Sequence, residues 1–427
     1  MKKIIFASLL IFSVQYLLKA ESNSTTEWKF TGYGVIIPYY DGRDFLNETH
    51  PIFYTTMKLR VGIEREIGNL QFKMNIQNSR VLGEEAAIVS AKNPVFIIEG
   101  FMKYDSILNI PLSFQAGRFQ MDYSTGRYIS VSPWNYIERT FDGFRFSYNK
   151  PNLFLDIFAV KHTSQYIPPP VNATPNTFPY PEKSYTDYDI LGFWYQNLMG
   201  DKRQVTGSHE SNIFTYWEID SKKLDSINLN LDRLTSGFNY RWSVKDFEAF
   251  LEFAYQYGKK GAKEVSAFNG CIELNYVYNK FKFLLGTEIY SGTNPNETSK
   301  LNTFDNYLAA KHRFLGLMDY FANVRNGYGL LGVNDFYLGI DYKLHKDWSI
   351  NLTNHYFTSN KENASGKFAY GLEFDLSLRY NLAKGIFIEY FNGIFLPDEL
   401  MKEFYKVGNK DRTDPGFATW LRFSTKI

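Results

Sequence analysis

Residues 368–380 (FAYGLEFDLSLRY) alternate between apolar and polar side chains. Tyr370, Leu372, Phe374, Leu376, Leu378 and Tyr380 share one parity, and Gly371, Glu373, Asp375, Ser377 and Arg379 share the other. Successive side chains of a strand point to opposite faces, so the spacing predicts a strand with one apolar and one polar side. The same period recurs. Met57, Leu59, Val61 and Ile63 oppose Lys58, Arg60 and Glu64, and Phe247, Ala249, Leu251, Phe253, Tyr255 and Tyr257 oppose Glu248, Glu252 and Gln256. Phe144, Phe146 and Tyr148 oppose Arg145 and Ser147, and Phe417, Leu421, Phe423 and Ile427 oppose Trp420, Arg422, Ser424 and Lys426. Over the whole chain the pattern predicts eighteen strands, in 28–39, 53–65, 70–78, 95–104, 112–123, 141–148, 153–161, 188–195, 213–220, 229–242, 247–257, 265–278, 281–290, 330–343, 348–357, 368–380, 386–395 and 417–427.

An even number of short alternating strands, with tyrosines bracketing the apolar stripe, is the pattern of a membrane-spanning barrel. The expected class is all-β: a transmembrane antiparallel up-and-down β-barrel of about 18 strands, with short periplasmic turns and long extracellular loops. The links support this. Short ones fall at Glu66–Asn69, Asp105–Pro111, Asn149–Asn152, Ser243–Asp246, Asn279–Lys280, Leu344–Asp347 and Asn381–Gly385, all after even strands. Long ones fall at 124–140, 162–187, 291–329 and 396–416, all after odd strands. The link at 196–212 breaks the rule, being long after an even strand. The 162–187 segment carries six prolines and predicts a semi-rigid surface loop. It and 291–329 are the two candidates for a gate.

Residues 1–20 have the layout of a secretory signal peptide: Lys2 and Lys3, an apolar run from Ile4 to Leu18, then Ala20. One barrel domain is expected over 21–427, located in the bacterial outer membrane. No later apolar run approaches the ~18 residues of a spanning helix.

Composition narrows the function. Lys and Arg number 47 against 45 Asp and Glu in 427 residues, which excludes a strongly basic nucleic-acid binder. The single cysteine, Cys271, excludes a disulfide scaffold and a multi-cysteine metal site. Aromatic residues are 18% of the chain, an excess that membrane girdles and lipid-facing stripes use. No G-x-S-x-G, H-E-x-x-H, P-loop or dinucleotide fingerprint occurs. The histidines at 50, 162, 209, 312, 345 and 355 lack metal-ligand spacing. The reading is a channel and not an enzyme, with no cofactor and no metal.

The stretch 117–145 (GRFQMDYSTGRYISVSPWNYIERTFDGFR) resembles the alginate-export family of outer-membrane porins. Gly117-Arg118, Tyr123, Arg127, Trp134, Arg139 and the run from Thr140 to Arg145 carry the resemblance. Leu191–Tyr195, Tyr255–Gly258, Ser291-Gly292 and Lys311–Tyr320 extend it over roughly 110–345. The resemblance implies an eighteen-stranded monomeric barrel that passes an anionic uronic-acid polysaccharide through an arginine-lined constriction. It makes Arg118, Arg139, Asp142 and Arg145 the leading site residues. It also covers His312, to which no role is assigned.

Strand parity nominates Arg60, Arg145, Arg233, Arg241, Arg379 and Arg422 as further lumen residues. Guanidinium forks suit carboxylates and hold their charge at any physiological pH. Arg118 shares the parity of Phe114 and Ala116, so a bulge after Ala116 is needed to turn it inward. The same parity places Glu64, Glu248, Glu252, Glu273, Glu373 and Asp375 inside, which predicts a mixed lumen. The expected function is passive passage of small or polymeric anionic or sugar-like solutes. The alternatives are an adhesin or structural surface barrel, and a barrel enzyme. The expected partners are outer-membrane lipid and lipopolysaccharide, and the solute itself.

Overall fold

The alternating segments form strands in the computed structural model. It describes residues 27–45, 51–83, 95–135, 137–162, 188–220, 223–224, 227–228, 230–326, 328–406 and 412–426. The expected signal peptide and the proline-rich run 163–187 lie outside the described residues. Eighteen barrel strands occur among them. The first nine are β1 (Lys29–Gly42), β2 (Ile52–Ile67), β3 (Leu70–Val81), β4 (Val95–Tyr104), β5 (Leu112–Phe119), β6 (Phe141–Lys150), β7 (Leu153–His162), β8 (Tyr188–Asp201) and β9 (Gly207–Asp220). The rest are β10 (Leu231–Val244), β11 (Phe247–Lys260), β12 (Lys263–Tyr278), β13 (Phe281–Tyr290), β14 (Val333–His345), β15 (Trp348–Thr358), β16 (Ala369–Ala383), β17 (Ile386–Pro397) and β18 (Gly416–Lys426). Each pairs antiparallel with its chain neighbour, and β1 pairs with β18 to close the ring. Closure leaves no unpaired edge, which a sheet in hydrocarbon requires.

The outer face is apolar, as the parity reading expected. On β11, Leu251, Phe253, Tyr255 and Tyr257 are exposed, whereas Phe250, Glu252, Ala254 and Gln256 are buried in the bore. Stacked outward rings mark the rim beside the short turns: Phe281 on Tyr342 at 4.6 Å and Trp348 on Tyr380 at 4.5 Å. Two-residue turns at this rim carry positive φ at Gly68, Lys245, Asn279 and Gly385, the backbone that matches strand twist in tight hairpins.

Two expectations change. The link at 196–212 is not long: β8 runs on to Asp201 and β9 begins at Gly207. In the glycine-bearing stretches 196–201 and 207–212 the apolar–polar alternation lapses, which conceals the strand ends there. Arg118 and Asp142 do not face the lumen. The β5–β6 register runs without a shift, pairing Gln115 with Arg145, Ala116 with Phe144 and Arg118 with Asp142. No bulge turns Arg118 inward, so both residues join Phe144 and Phe146 on the outside.

The described residues of 120–140, after β5, and of 291–332, after β13, fold into the bore. A short helix, α1 (Glu399–Tyr405), capped by Asp398, buries Leu400 and Met401 beneath the rim that carries the long loops. At mid-band, Phe253→Arg should destabilise the barrel by about 2–4 kcal/mol, because a guanidinium would then face hydrocarbon. Lys259→Ala, nearer the rim, should change stability by less than about 0.5 kcal/mol. Urea unfolding in phospholipid vesicles measures both, and equal effects would contradict the assigned outer face.

Candidate functional site

An eighteen-strand ring left empty encloses a wide aqueous channel. Here the two inward loops cross it. The first loop is pinned at β2, where Lys58 Nζ donates to the carbonyls of Pro133 and Asn135 (2.9 and 3.0 Å) and to Glu138 (2.7 Å). Its other end reaches β11 and β13, where Arg127 pairs with Glu252 (3.2 Å) and Glu288 (2.9 Å). Strands β2 and β11 stand nine places apart in a ring of eighteen, so this loop spans a diameter. Its rings lie against the wall between, Tyr123 on Trp194 at 4.9 Å and Tyr128 near Phe214 at 4.6 Å.

The second loop spans a different diameter. On β10, Arg233 is bidentate to its neighbour Glu218 and reaches Asp305 of the loop at 2.8 Å. Nine strands away, Arg43, just beyond β1, donates to the Met318 carbonyl at 2.7 Å. On β16, Glu373 accepts from the Met318 amide and Asp375 from the Leu317 amide, both at 2.9 Å. Gly316 (φ +79°) makes this approach possible, since a Cβ there would lie 2.3 Å from the Glu373 carboxylate. The loops are joined to each other by Arg139. It donates to the carbonyls of Ser130, Leu308 and Tyr307, each at 2.6 Å.

Two cavities flank the crossing, sharing Arg313 and Leu317 in their walls. The larger, about 590 Å³, is mixed in charge: Arg127, Arg241 and Arg313 face Glu273, Glu288, Asp335 and Asp375. The smaller, about 420 Å³, is basic: Lys311, Arg313, Arg379 and Arg422 face the single carboxylate of Glu389. Arg379 lies over the Phe387 ring at 3.7 Å, and Arg422 over the same ring at 5.2 Å. Arg422 is 3.9 Å from Glu389. Trp134 and Trp420, 4.8 Å apart, line one side, and His312 stacks on Trp134 at 3.6 Å with its Nδ1 held by Asp319.

The loop charges respond to these surroundings. Burial raises the Glu138 carboxyl, but Lys58 and Arg60 outweigh it and hold the group below the usual carboxylate range. Asp305 is likewise held far below that range against burial, by Arg233, Arg325 and Lys260. Burial, reinforced by Arg325 and Arg139, pushes Lys311 down to about 7.

The parity-nominated arginines therefore separate. Arg379 and Arg422 meet in the basic cavity. Arg241 lines the mixed cavity, paired to Glu248 at 2.8 Å. Arg60 joins Gln77 and Glu138, Arg145 joins Gln115 and Asp156, and Arg233 is buried between Glu218 and Asp305. Arg139 is the clamp between loops. Lys311, Arg313 and Trp134 lie on inward loops with no period, so strand parity has no means of finding them. Arg127, Trp134, Lys311 and Arg313 do lie within the family-like stretches, which were the one available signal.

A family model described as alginate export matches residues 53–384. No curated protein matches the chain. Among solved structures, OccAB4 of Acinetobacter baumannii is similar at a TM-score of 0.59 and 13% identity, covering 95% of this chain and 99% of that one. A BenF-like porin from Pseudomonas fluorescens matches at 0.59 and 11%, covering 94% and 98%. OpdK of Pseudomonas aeruginosa with vanillate matches at 0.58 and 11%, covering 93% and 98%.

Lys311 gives the site a pH dependence. Below about 7 it is a cation in the basic cavity, and above it the charge is lost. Anion-over-cation permeability in planar bilayers should therefore fall as pH rises through about 7. In Lys311→Met it should stay low throughout. A wild-type response that survives in Lys311→Met would contradict the assignment.

Proposed function

The chain belongs to the alginate-export family, whose members are outer-membrane channels, and from that premise we propose that it passes anionic or sugar-like solutes passively across the outer membrane. The observation that carries this reading is the basic cavity, where three guanidinium groups and the titratable Lys311 face one carboxylate beside two tryptophans. Such charges attract an anion, and the guanidinium forks of Arg379 and Arg422 suit a carboxylate. The indole faces suit the apolar face of a sugar or aromatic ring. A volume of about 420 Å³ accommodates a small ring-bearing acid, and a polymer would have to thread through it unit by unit. The chain's own charges and loops supply selectivity, and the solute gradient supplies direction.

This revises the sequence reading of the constriction. In place of a ring of strand arginines, two strand arginines and two loop cations make the basic zone. Most other nominated arginines hold the wall and loops together. Vanillate, bound in one structural neighbour, is a suitable first probe, with galacturonate and galactose as the charged and neutral sugar pair.

Reversal potentials in a KCl gradient test the proposal. Wild type should prefer anions, and Arg379→Gln with Arg422→Gln should reduce anion-over-cation permeability severalfold. Liposome swelling should show galacturonate entering faster than galactose in wild type, with the difference lost in the double variant. A double variant with unchanged selectivity would refute the role of this cavity.

A further inference from the structure

Arg118 and Asp142, expected in the lumen, have an unexplained position on the outer face. They belong to a line of alternating charge across four neighbouring strands. Arg118 on β5 is bidentate to Asp142 on β6, both contacts at 2.7 Å. Asp142 stands opposite Lys161 of β7 in the register, and Lys161 pairs with Asp189 of β8 at 2.9 Å. All four side chains are a third to a half exposed, at 33, 38, 48 and 46% in that order. The signs run plus, minus, plus, minus. The neutral Ile219 of β9 ends this run between Asp189 and Asp232, and beyond it Asp232, Lys259 and Glu264 alternate in sign again across β10, β11 and β12.

The height of this line locates it in the membrane. Below Asp142 the outward residues of β6 are Phe144, Phe146 and Tyr148, then Lys150 at the short-turn rim. Eight residues at about 3.3 Å each, tilted by about 40°, separate the two charges by roughly 20 Å along the membrane normal. That is close to the ~25 Å apolar band of an outer-membrane barrel, so the charge line sits at its upper border. Charges at this level meet headgroups and not acyl chains.

A cleft opens beside it. Gly100, outward-facing on β4, presents no side chain, and Arg118 reaches over to donate to the Ile97 carbonyl at 3.3 Å. Ile97, Arg118, Asp142 and Phe144 rim the space, of about 520 Å³, with Gly117 and Gly143 in its floor. Gly117 is required where it stands: its φ is +125°, and a Cβ would lie 2.4 Å from the Gly100 carbonyl oxygen.

We propose that this line and cleft form a docking strip for a phosphate-bearing glycolipid of the outer leaflet. Arg118 and Lys161 would meet its phosphates, and Asp142 and Asp189 the divalent cations that bridge those phosphates. A headgroup layer of phosphates cross-linked by cations also alternates in sign, so the complementarity extends along the strip. The apolar rim of the cleft receives the start of an acyl chain. This proposal is independent of what passes through the bore.

The test is native mass spectrometry of the full barrel, delipidated in detergent, with bisphosphorylated lipid A and Mg²⁺. Wild type should retain the lipid, and retention should fall when the phosphates are removed from it. Arg118→Ala with Lys161→Ala should bind about tenfold more weakly. Lys150→Ala, on the opposite rim, should bind as wild type does, and single-channel conductance reports that each variant is folded. If the double variant does not fold, Asp142→Asn with Asp189→Asn serves instead and should lose the Mg²⁺ dependence of binding. Equal retention of phosphorylated and dephosphorylated lipid, or unchanged binding or Mg²⁺ dependence in the folded variant used, would overturn the proposal.

Discussion

The structure depends on holding two long loops across a bore that would otherwise be an open aqueous channel. A loop inside water has little reason to stay there, because ordering each residue costs about 1–2 kcal/mol in backbone entropy. The offset comes from both walls at once. Lys58 and Glu252 fix one loop at the ends of one diameter, and Arg233 and Arg43 fix the other along a second. Breaking a buried pair by removing one partner typically costs about 3–5 kcal/mol, so the anchors at Lys58, Glu252 and Arg233 are strong constraints, and Arg43 adds a hydrogen bond to a loop carbonyl. The Arg139 guanidinium, shared by three carbonyls on both loops, makes the crossing one unit.

Charge is then sorted into three zones by one requirement, that a charge must find water, a partner or a headgroup. Inside the crossing, charges are paired: Arg127 with Glu252 and Glu288, Arg233 with Glu218 and Asp305. Beside it, the basic cavity leaves Lys311, Arg313, Arg379 and Arg422 facing one carboxylate. Among the described residues, outward charge lies at the rims, and the band between carries Phe144, Phe146, Ile157 and Leu191. The near-zero net charge of the chain conceals this sorting.

Period-two alternation made the barrel legible, because lipid on one side and polar bore on the other impose opposite chemistry on adjacent residues. It placed Arg145, Arg233 and Glu373 inside and gave the number of strands. It failed where that contrast fades. The ends of β8 and β9, where alternation lapses, read as a loop. Arg118 and Asp142 break the apolar parity because they stand where hydrocarbon gives way to headgroups, so an inward position looked natural for them. The loops were legible only by length. Which way a loop folds is decided by partners distant in sequence, such as Arg233 for Asp305, and local pattern carries no trace of them.

The proposed function rests on the crossing loops, and not the strand wall alone, setting what the bore admits. Single-channel conductance of a barrel in which residues 303–329 are replaced by a short glycine-serine linker tests it most directly. That variant loses Asp305, Lys311, Arg313 and the amides held by Glu373 and Asp375 while keeping every strand. The expected result is a severalfold larger conductance and a loss of anion preference. A conductance and selectivity equal to those of the intact chain would contradict it.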